Sequence, residues 1–276
     1  MPDVHHFTTP DGLKIAFTEE GEGLPLIALS GLTRNHRDFD FLAPHLKDVR
    51  LIRMDYRGRG ESDWADWSTY TVPAEAGDVV ALMAHLGIEQ AALLGTSRGG
   101  LISMVLAATQ ADKVIGVCLN DVGPVVDREG LKVIDGYIGR KPKAATLDEM
   151  AKVRAQTVSG FENVPESRWR EEAERSYVET DEGLDIRYDP ALRESFLAAM
   201  NAEMPDLWPL FGALAAKPLA VIRGAGSDVL TAETAAQMRE RIPDMRYVDV
   251  PGRGHAPFLD EPEAIETINA WLDDCR

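Results

Sequence analysis

Short apolar runs of strand length alternate with helix-length segments along most of this chain. The predicted strands cover residues 13–18, 24–29, 49–54, 91–94, 114–119, 219–222 and 247–250, and a further strand runs from residue 7 into the hairpin signal Pro10-Asp11-Gly12. Helical patterns lie between them at 39–46, 72–86, 99–109, 232–241 and 262–272. Because strands that alternate with helices imply right-handed crossovers, the pattern predicts an α/β fold with a mostly parallel sheet.

The alternation is interrupted once, between Pro124 and Lys217, where no strand is predicted. This segment is charged, is punctuated by prolines, and shows helical stretches at 148–157, 166–178 and 191–203. We interpret residues 125–212 as a helical cap inserted into an α/β core that residues 1–124 and 213–276 form. The alternative is a helical subdomain that gates nothing.

Composition narrows the class of protein without selecting a reaction. Of the 276 residues, 45% are apolar and 27% are charged, as in globular proteins. No apolar run approaches the ~18 residues of a membrane span. The first residues form neither a basic nor an apolar segment, so no signal peptide is predicted. The two cysteines are too few for a disulfide scaffold. We therefore expect a soluble, cytoplasmic protein.

The charge balance excludes some partners. The chain has 29 basic and 46 acidic residues, which gives a net charge of −17. Such a field repels nucleic acid and anionic membranes and favours solubility. We expect a small-molecule substrate, no nucleic-acid or membrane partner, and a monomer or homodimer.

The strongest chemical signal is Gly95-Thr-Ser97-Arg98-Gly99, which follows a predicted strand and begins a predicted helix. In that context a Gly-x-Ser-x-Gly sequence forms a nucleophile elbow, where the serine lies at a sharp turn at the end of the sheet. The flanking residues must be small because a side chain there would meet neighbouring backbone. Ser97 is therefore the predicted nucleophile.

A serine nucleophile needs a base, and the base needs an orienting carboxylate. His255 lies in a glycine-containing loop after the last predicted strand and is the predicted base; His36, also in a strand-exit loop, is set aside as a surface or cap-facing residue. Two aspartates follow strands and satisfy the chain order serine, aspartate, histidine. We favour Asp228 as the acid and keep Asp121 as the alternative.

The oxyanion hole is expected to combine two backbone amides from different segments. One is the amide of Arg98, directly after the nucleophile, and the other is the amide of Leu32, where Gly31 permits a tight turn after the third strand. Arg34 in the same loop is a candidate substrate-lining residue. The Arg98 side chain has two interpretations: a pair with a carboxylate such as Asp121 or an acidic substrate, or a buried structural ion pair.

These motifs resemble those of the α/β-hydrolase superfamily, in particular its small capped esterase, lactonase and enol-lactonase branch. The resemblance covers residues 7–124 and 218–274. It is carried by Ser30-Gly-Leu32, by the loop Asp55-Tyr-Arg-Gly-Arg-Gly-Glu-Ser-Asp63, by the serine motif, and by Gly224 to Asp228 together with Gly254-His-Ala-Pro-Phe258. It implies an eight-stranded, mostly parallel sheet flanked by helices, with the cap inserted after strand six. Many relatives carry His-Gly where this chain has Ser30-Gly31.

The expected activity is cleavage of a small-molecule carboxylic ester or lactone through an acyl-enzyme on Ser97, without a cofactor or a metal. A serine nucleophile argues against haloalkane dehalogenases and epoxide hydrolases, which attack with a carboxylate. The alternatives are a carbon–carbon bond hydrolase or a perhydrolase with the same triad and, less favoured, a ligand-binding receptor-type relative. Trp208 and Phe211, near the end of the cap, are candidate pocket-lining residues, although packing onto the core explains them equally.

Overall fold

The computed structural model describes residues 2–276, except for the side chains of residues 128 and 129; residue 1, where the predicted core begins, lies outside the description. The strands, in chain order, are β1 (Val4–Thr8), β2 (Lys14–Glu20), β3 (Leu24–Leu29), β4 (Val49–Met54), β5 (Ala91–Thr96), β6 (Val114–Asn120), β7 (Tyr177–Thr180), β8 (Gly183–Ile186), β9 (Leu219–Gly224) and β10 (Arg246–Val250). The helices are α1 (Val72–His85), α2 (Arg98–Thr109), α3 (Arg128–Tyr137), α4 (Leu147–Thr157), α5 (Glu166–Ser176), α6 (Leu192–Asn201), α7 (Trp208–Gly212), α8 (Ala232–Arg241) and α9 (Pro262–Asp274).

An eight-stranded sheet forms the centre of the fold. Its strand order is β1-β2-β4-β3-β5-β6-β9-β10, and every pairing is parallel except β1 with β2 and β2 with β4. The predicted α/β fold with a mostly parallel sheet is therefore confirmed. Because consecutive crossovers place β3 and β5 side by side, the loops that follow them share one edge of the sheet.

The sheet is covered on both faces, which explains why its central strands read as continuous apolar runs. In β3, Ile27 and Leu29 face a core that includes apolar residues of α1, α2 and α8. Leu26 and Ala28 point to the opposite face, where they share a second core with Trp271 and other apolar residues of α9. Double burial fixes the positions of these strands, and hence of the loops at their carboxyl ends.

The segment between β6 and β9 contains a structure that the sequence pattern did not predict. We call residues 128–201 the cap segment; it contains the helices α3 to α6 and also the antiparallel hairpin β7–β8. The expectation that no strand lies between residues 124 and 217 was therefore wrong. The predicted helix 166–178 ends at Ser176, and Gly183 with a positive φ of +107° completes the hairpin turn. The strands were missed because each has only four residues and they are partly exposed. The division into core and cap at residues 125 and 212 stays a prediction.

The cap segment lies on the loops at the carboxyl edge of the sheet. Arg34 of the loop after β3 forms an ion pair with Glu172 of α5, and the side-chain amide Nδ2 of Asn35 donates to the Arg175 carbonyl at 2.9 Å. The Glu162 amide donates to the Gly252 carbonyl at 3.0 Å. A cavity of about 750 Å³ lies between the cap segment and the sheet edge. Among the described residues, no helix has the length and apolar character that crossing a membrane requires.

Candidate active site

Ser97 occupies the turn between β5 and α2, and its backbone is strained. Its φ of +51° lies in the left-handed region, which residues with a side chain adopt at a cost. A Cβ atom at Gly99 would collide with the Leu29 carbonyl, and one at Gly95 would collide with the backbone of Gly99 and Gly100. The Ser97 amide donates to the Asn120 carbonyl at 2.9 Å. The two glycines thus permit the turn that brings Ser97 to the cavity wall.

His255 follows β10 and stands between a hydroxyl and a carboxylate. Its Nε2 atom lies 3.0 Å from Ser97 Oγ, and its Nδ1 atom lies 2.7 Å from Asp121 Oδ2. This is the geometry in which a neutral imidazole with a proton on Nδ1 accepts the serine proton at Nε2. The sequence-predicted pair of Ser97 and His255 is brought together by the structure.

The carboxylate next to His255 belongs to Asp121, which follows β6 directly. Its side chain is fully buried, and besides His255 it accepts a hydrogen bond from the Gly224 amide at 2.8 Å and one from the Ser227 hydroxyl at 2.5 Å. Buried charge requires such donors, because an unpaired carboxylate in the interior is costly. The donors hold the carboxylate at one position beside the imidazole.

The structure does not place Asp228, the favoured acid, beside His255; the alternative, Asp121, occupies that position. Asp228 lies in the loop after β9, lines the cavity, and accepts a hydrogen bond from the Ser159 hydroxyl at 3.3 Å. The reason is a tight turn in which the Ser227 amide donates to the Gly224 carbonyl at 2.9 Å. This turn directs Ser227 toward the core, and Asp228, the next residue, faces the cavity.

Two backbone amides near Ser97 have the character of oxyanion-hole donors. Among the described residues and side chains, neither the Leu32 amide nor the Arg98 amide donates to an acceptor of the protein. Leu32 lines the cavity beside Ser97, and Arg98 is the first residue of α2, where the helix dipole favours negative charge. The Gly99 amide donates to the Ser30 carbonyl at 3.1 Å and ties the two segments together.

The Arg98 side chain forms a partly buried ion pair with Glu75 of α1. Its Nε atom donates to Glu75 Oε2 at 2.7 Å, and its Nη2 atom donates to the Tyr70 carbonyl at 3.0 Å. The suggested pair with Asp121 was therefore wrong, and the interpretation as a structural ion pair is correct. Arg98 does not belong to the residues that line the cavity.

Of the three candidate lining residues, only Arg34 lines the cavity. It pairs there with Asp38 at 2.6 Å and with Glu172. Although burial opposes its charge, these two carboxylates raise the pKa of Arg34 above its ordinary value. Trp208 and Phe211 lie elsewhere: their rings are 5.8 Å apart, and Phe211 is buried in the core that α2 shares. The expectation that they line the pocket was wrong.

Other aromatic side chains form the apolar wall of the cavity. Phe161 and Trp169 of the cap segment contact Phe258, with ring centroids 5.3 to 6.0 Å apart. Phe41, Tyr137, Tyr177 and Tyr188 line the same cavity. Phe258 carried a local sequence signal, since it lies three residues after His255. His36 faces away from this chemistry, with Nδ1 at 2.9 Å from Asp55 Oδ2.

An elbow serine joined through histidine to a buried carboxylate, at the edge of a mostly parallel sheet, defines an α/β-hydrolase site. The chain belongs to the alpha/beta hydrolase family, whose profile matches residues 26–268. It is therefore a hydrolase of the α/β-hydrolase type.

Individual relatives span nearly the whole chain. A 3-hydroxybutyrate-oligomer hydrolase of Cupriavidus necator is 38% identical over 93% of this chain and 92% of its own length. A 2-(acetamidomethylene)succinate hydrolase of Mesorhizobium japonicum is 28% identical over 92% of this chain and 90% of its own. The crystal structure of an alpha/beta hydrolase from Novosphingobium aromaticivorans superposes with a TM-score of 0.92 at 39% identity, covering 99% of this chain and 98% of the other. The implied superfamily is thereby confirmed.

Proposed function

We propose that this hydrolase cleaves a small-molecule carboxylic ester or lactone through an acyl-enzyme on Ser97. The observation that carries the proposal is the continuous set of contacts from Asp121 through His255 to Ser97, at 2.7 and 3.0 Å, beside a cavity. This set contains a nucleophile, a base within hydrogen-bonding reach and a carboxylate that orients the base.

The proposed reaction has two halves. In the first, Ser97 Oγ attacks the substrate carbonyl carbon while His255 Nε2 takes the serine proton, and the Leu32 and Arg98 amides bind the oxygen that becomes negative. The tetrahedral intermediate collapses, and His255 returns the proton to the leaving oxygen. In the second half, His255 takes a proton from water, water attacks the acyl carbon, and the acid leaves as the proton returns to Ser97. Asp121 stabilises the positive imidazole in both halves.

The substrate class is proposed from the cavity and the relatives together. The cavity of about 750 Å³ lies within the range of small-molecule sites and holds more than one short acyl unit. A relative that is 38% identical is named for the hydrolysis of 3-hydroxybutyrate oligomers. We therefore place short esters of hydroxy acids first among the substrates to assay.

The runner-up is a different bond cleaved by the same residues. The 28% identical relative is named for hydrolysis of 2-(acetamidomethylene)succinate, which is not a simple ester. Carbon–carbon bond hydrolysis and peracid formation remain in the same group of alternatives. Rates on hydroxy-acid esters, lactones, vinylogous diketones and 2-(acetamidomethylene)succinate, compared at equal enzyme concentration, rank these reactions directly. A receptor-type role predicts ligand binding with little turnover on the whole panel.

The proposal is tested by Ser97→Ala. Because the serine forms the covalent bond, we expect kcat on the preferred ester to fall by at least about 10⁴-fold. The melting temperature should not fall, since the elbow keeps its backbone. Ser103→Ala is the matched control: Ser103 is buried in α2 and donates only to the Gly99 carbonyl, at 2.8 Å. Turnover by Ser97→Ala close to that of the wild type would overturn the proposal.

A further inference from the structure

Three charged side chains contact one another next to the nucleophile elbow: Arg59 and Glu75, which are fully buried, and Arg98, which is half-buried. We call these three residues the charge bridge. Glu75 of α1 is fully buried, and its two carboxylate oxygens contact different arginines, Oε2 at 2.7 Å from Arg98 Nε and Oε1 at 2.8 Å from Arg59 Nη1. Burial alone would raise the pKa of Glu75, but the two positive charges hold it below its ordinary value. The carboxylate is therefore charged at neutral pH and links both arginines.

One end of the charge bridge reaches the first oxyanion segment. Arg59 is 1% exposed, and its Nε atom donates to the Leu32 carbonyl at 3.1 Å. Its Nη1 atom also donates to the Arg57 carbonyl at 2.6 Å. The guanidinium lies over the rings of Tyr56 and Tyr70, at 5.5 and 5.2 Å from their centroids. These contacts restrict the orientation of Arg59, and its hydrogen bond to the Leu32 carbonyl couples the position of Leu32 to that of Arg59.

The other end is the second oxyanion residue itself. The backbone amide of Arg98 directly follows Ser97 in the chain, and the Arg98 guanidinium donates to Glu75 and to the Tyr70 carbonyl. Glu75 is anchored in turn near the start of α1, where the Thr71 hydroxyl accepts from the Ala74 amide and the Glu75 amide donates to the Thr71 carbonyl at 3.0 Å. A continuous set of contacts thus leads from Leu32 through Arg59 and Glu75 to Arg98.

Oxyanion donors must be placed accurately to act. A pair of amides stabilises the transition state only when both lie about 2.7–3.1 Å from the developing oxyanion, and errors of about 0.5 Å are costly. The Leu32 and Arg98 amides come from separate segments, which the bond from the Gly99 amide to the Ser30 carbonyl joins at a neighbouring point. A second, independent tie is needed to fix how the segments are rotated against each other.

We propose that the Arg59–Glu75–Arg98 charge bridge sets the separation of the Leu32 and Arg98 amides, which makes Glu75 and Arg59 positioning residues for the oxyanion hole. The proposal rests on the acyl-enzyme chemistry proposed for Ser97. Stability does not account for the bridge by itself, because apolar residues of similar volume often stabilise a protein as well as a buried ion cluster does. What such residues lack is directional hydrogen bonding to the Leu32 carbonyl.

The same helix offers a matched control. Asp78 lies three residues after Glu75 in α1, is equally buried, and pairs with Arg57 through contacts of 2.8 and 2.6 Å. Arg57 comes from the same loop as Arg59, and neither it nor Asp78 contacts Leu32 or Arg98 among the described residues. The two pairs therefore differ mainly in their connection to the oxyanion segments.

The experiment compares Glu75→Gln with Asp78→Asn. Both are assayed for kcat, KM, affinity for an alkylboronic acid that forms a tetrahedral adduct with Ser97, and affinity for the carboxylic acid product. For Glu75→Gln we expect kcat and boronate affinity to fall together by about 10- to 100-fold, with KM and product affinity within about threefold. Asp78→Asn should keep the wild-type boronate affinity even where its melting temperature falls. A folded Glu75→Gln protein whose kcat and boronate affinity match those of Asp78→Asn overturns the proposal.

A second variant covers the case in which Glu75→Gln does not fold. Arg98→Met removes the guanidinium and retains the Arg98 amide, so the bridge is broken while the donor remains. Wild-type boronate affinity in this variant also overturns the proposal. The failure of the proposed function and the failure of the charge-bridge proposal are distinguishable. If the activity of the wild type does not depend on Ser97, the proposed function fails. If it depends on Ser97 and either bridge variant, once folded, keeps the wild-type kcat and boronate affinity, only the charge-bridge proposal fails.

Discussion

Two aspartates stand at the same edge of the sheet, and their surroundings differ. Asp121 is fully buried, and its carboxylate contacts His255 and accepts hydrogen bonds from the Gly224 amide and the Ser227 hydroxyl. Asp228 is half-buried, faces the cavity, and accepts from the Ser159 hydroxyl of the cap segment. Both follow a strand, and both precede His255 in the chain.

These surroundings show what a carboxylate needs in order to orient a base. Away from water, its attraction to a positive imidazole is stronger than at a solvated position. Its own hydrogen bonds must come from fixed groups so that it does not move when the imidazole becomes charged. Asp121 meets both conditions through the core, whereas Asp228 is held by a hydroxyl of the cap segment. The two carboxylates are therefore held by different parts of the protein, although both aspartates follow a strand in the sequence.

The largest expected effect separates the two aspartates directly. Asp121→Asn should lower kcat by roughly 10⁴-fold, because an amide does not stabilise the positive imidazole or hold its productive tautomer. Asp228→Asn should change kcat by less than about tenfold, since it replaces a carboxylate that lies outside the serine–histidine pair. Steady-state rates on the preferred ester, with melting temperatures to confirm folding, make the comparison. A greater loss of kcat in Asp228→Asn would reverse the assignment of the acid.

A smaller effect is expected at the serines that hold the two carboxylates. Ser227→Ala removes a hydroxyl that donates to Asp121 and accepts from the Val229 and Leu230 amides at 3.2 and 3.1 Å. We expect kcat to fall roughly tenfold, about 1.4 kcal/mol, at the low end for a hydrogen bond to a charged group. Ser159→Ala, which removes the donor to Asp228, is the counterpart, and its kcat should stay within about threefold. Equal effects of the two substitutions would show that support by the core does not distinguish the loops.

The smallest expected effect concerns the ion pairs that hold the cap segment against the loops at the carboxyl edge of the sheet. The side chain of Glu172 is 4% exposed and pairs with Arg34 and, at 3.5 Å, with Arg154. Burial opposes its charge, but these arginines keep the pKa of Glu172 below its ordinary value. Its pairing therefore stabilises the folded state above about pH 4.5, and the contribution is lost as the pH falls through the lowered pKa.

Glu172→Gln should accordingly lower the melting temperature at pH 7 by about 3 to 8 °C. The difference in melting temperature between Glu172→Gln and the wild type should narrow as the pH falls below about 4.5, because the wild-type carboxylate becomes protonated as the pH passes through its lowered pKa. Glu171→Gln on the same helix is the control, because Glu171 is half exposed and contacts Arg168 and Arg175 only at 3.9 and 4.0 Å. Calorimetry of the three proteins across this pH range checks the prediction. A difference in melting temperature between Glu172→Gln and the wild type that stays constant with pH would contradict the prediction.

The sequence was most informative for strands that are buried on both faces, because such strands appear as continuous apolar runs. Residues 24–29 and 49–54 were predicted as strands, and β3 and β4 have these same limits. The hairpin β7–β8 was missed because its short strands carry polar residues and expose one face. Ser97 and His255 were found because a nucleophile elbow and a glycine-containing strand-exit loop are local signals.

What the sequence did not determine depends on side-chain directions. Ser227 and Asp228 are adjacent, and only the turn after Gly224 decides which of them faces Asp121. The sequence pattern around Trp208 and Phe211 is compatible with a pocket wall and with core packing. The packing of α7 on α2 places both residues at the core. The contact of Glu75 with Arg59 joins distant residues of unlike elements, so no spacing rule reports it.

The central claim is that Ser97 is the nucleophile and that Asp121, through His255, activates it. The most direct measurement is the rate constant of Ser97 phosphonylation by a fluorophosphonate, followed by peptide mass spectrometry in the wild type, Asp121→Asn and Asp228→Asn. We expect an adduct on the Ser97 peptide that forms much more slowly in Asp121→Asn and at nearly the wild-type rate in Asp228→Asn. An adduct on another residue, or a greater loss of rate in Asp228→Asn, would contradict it.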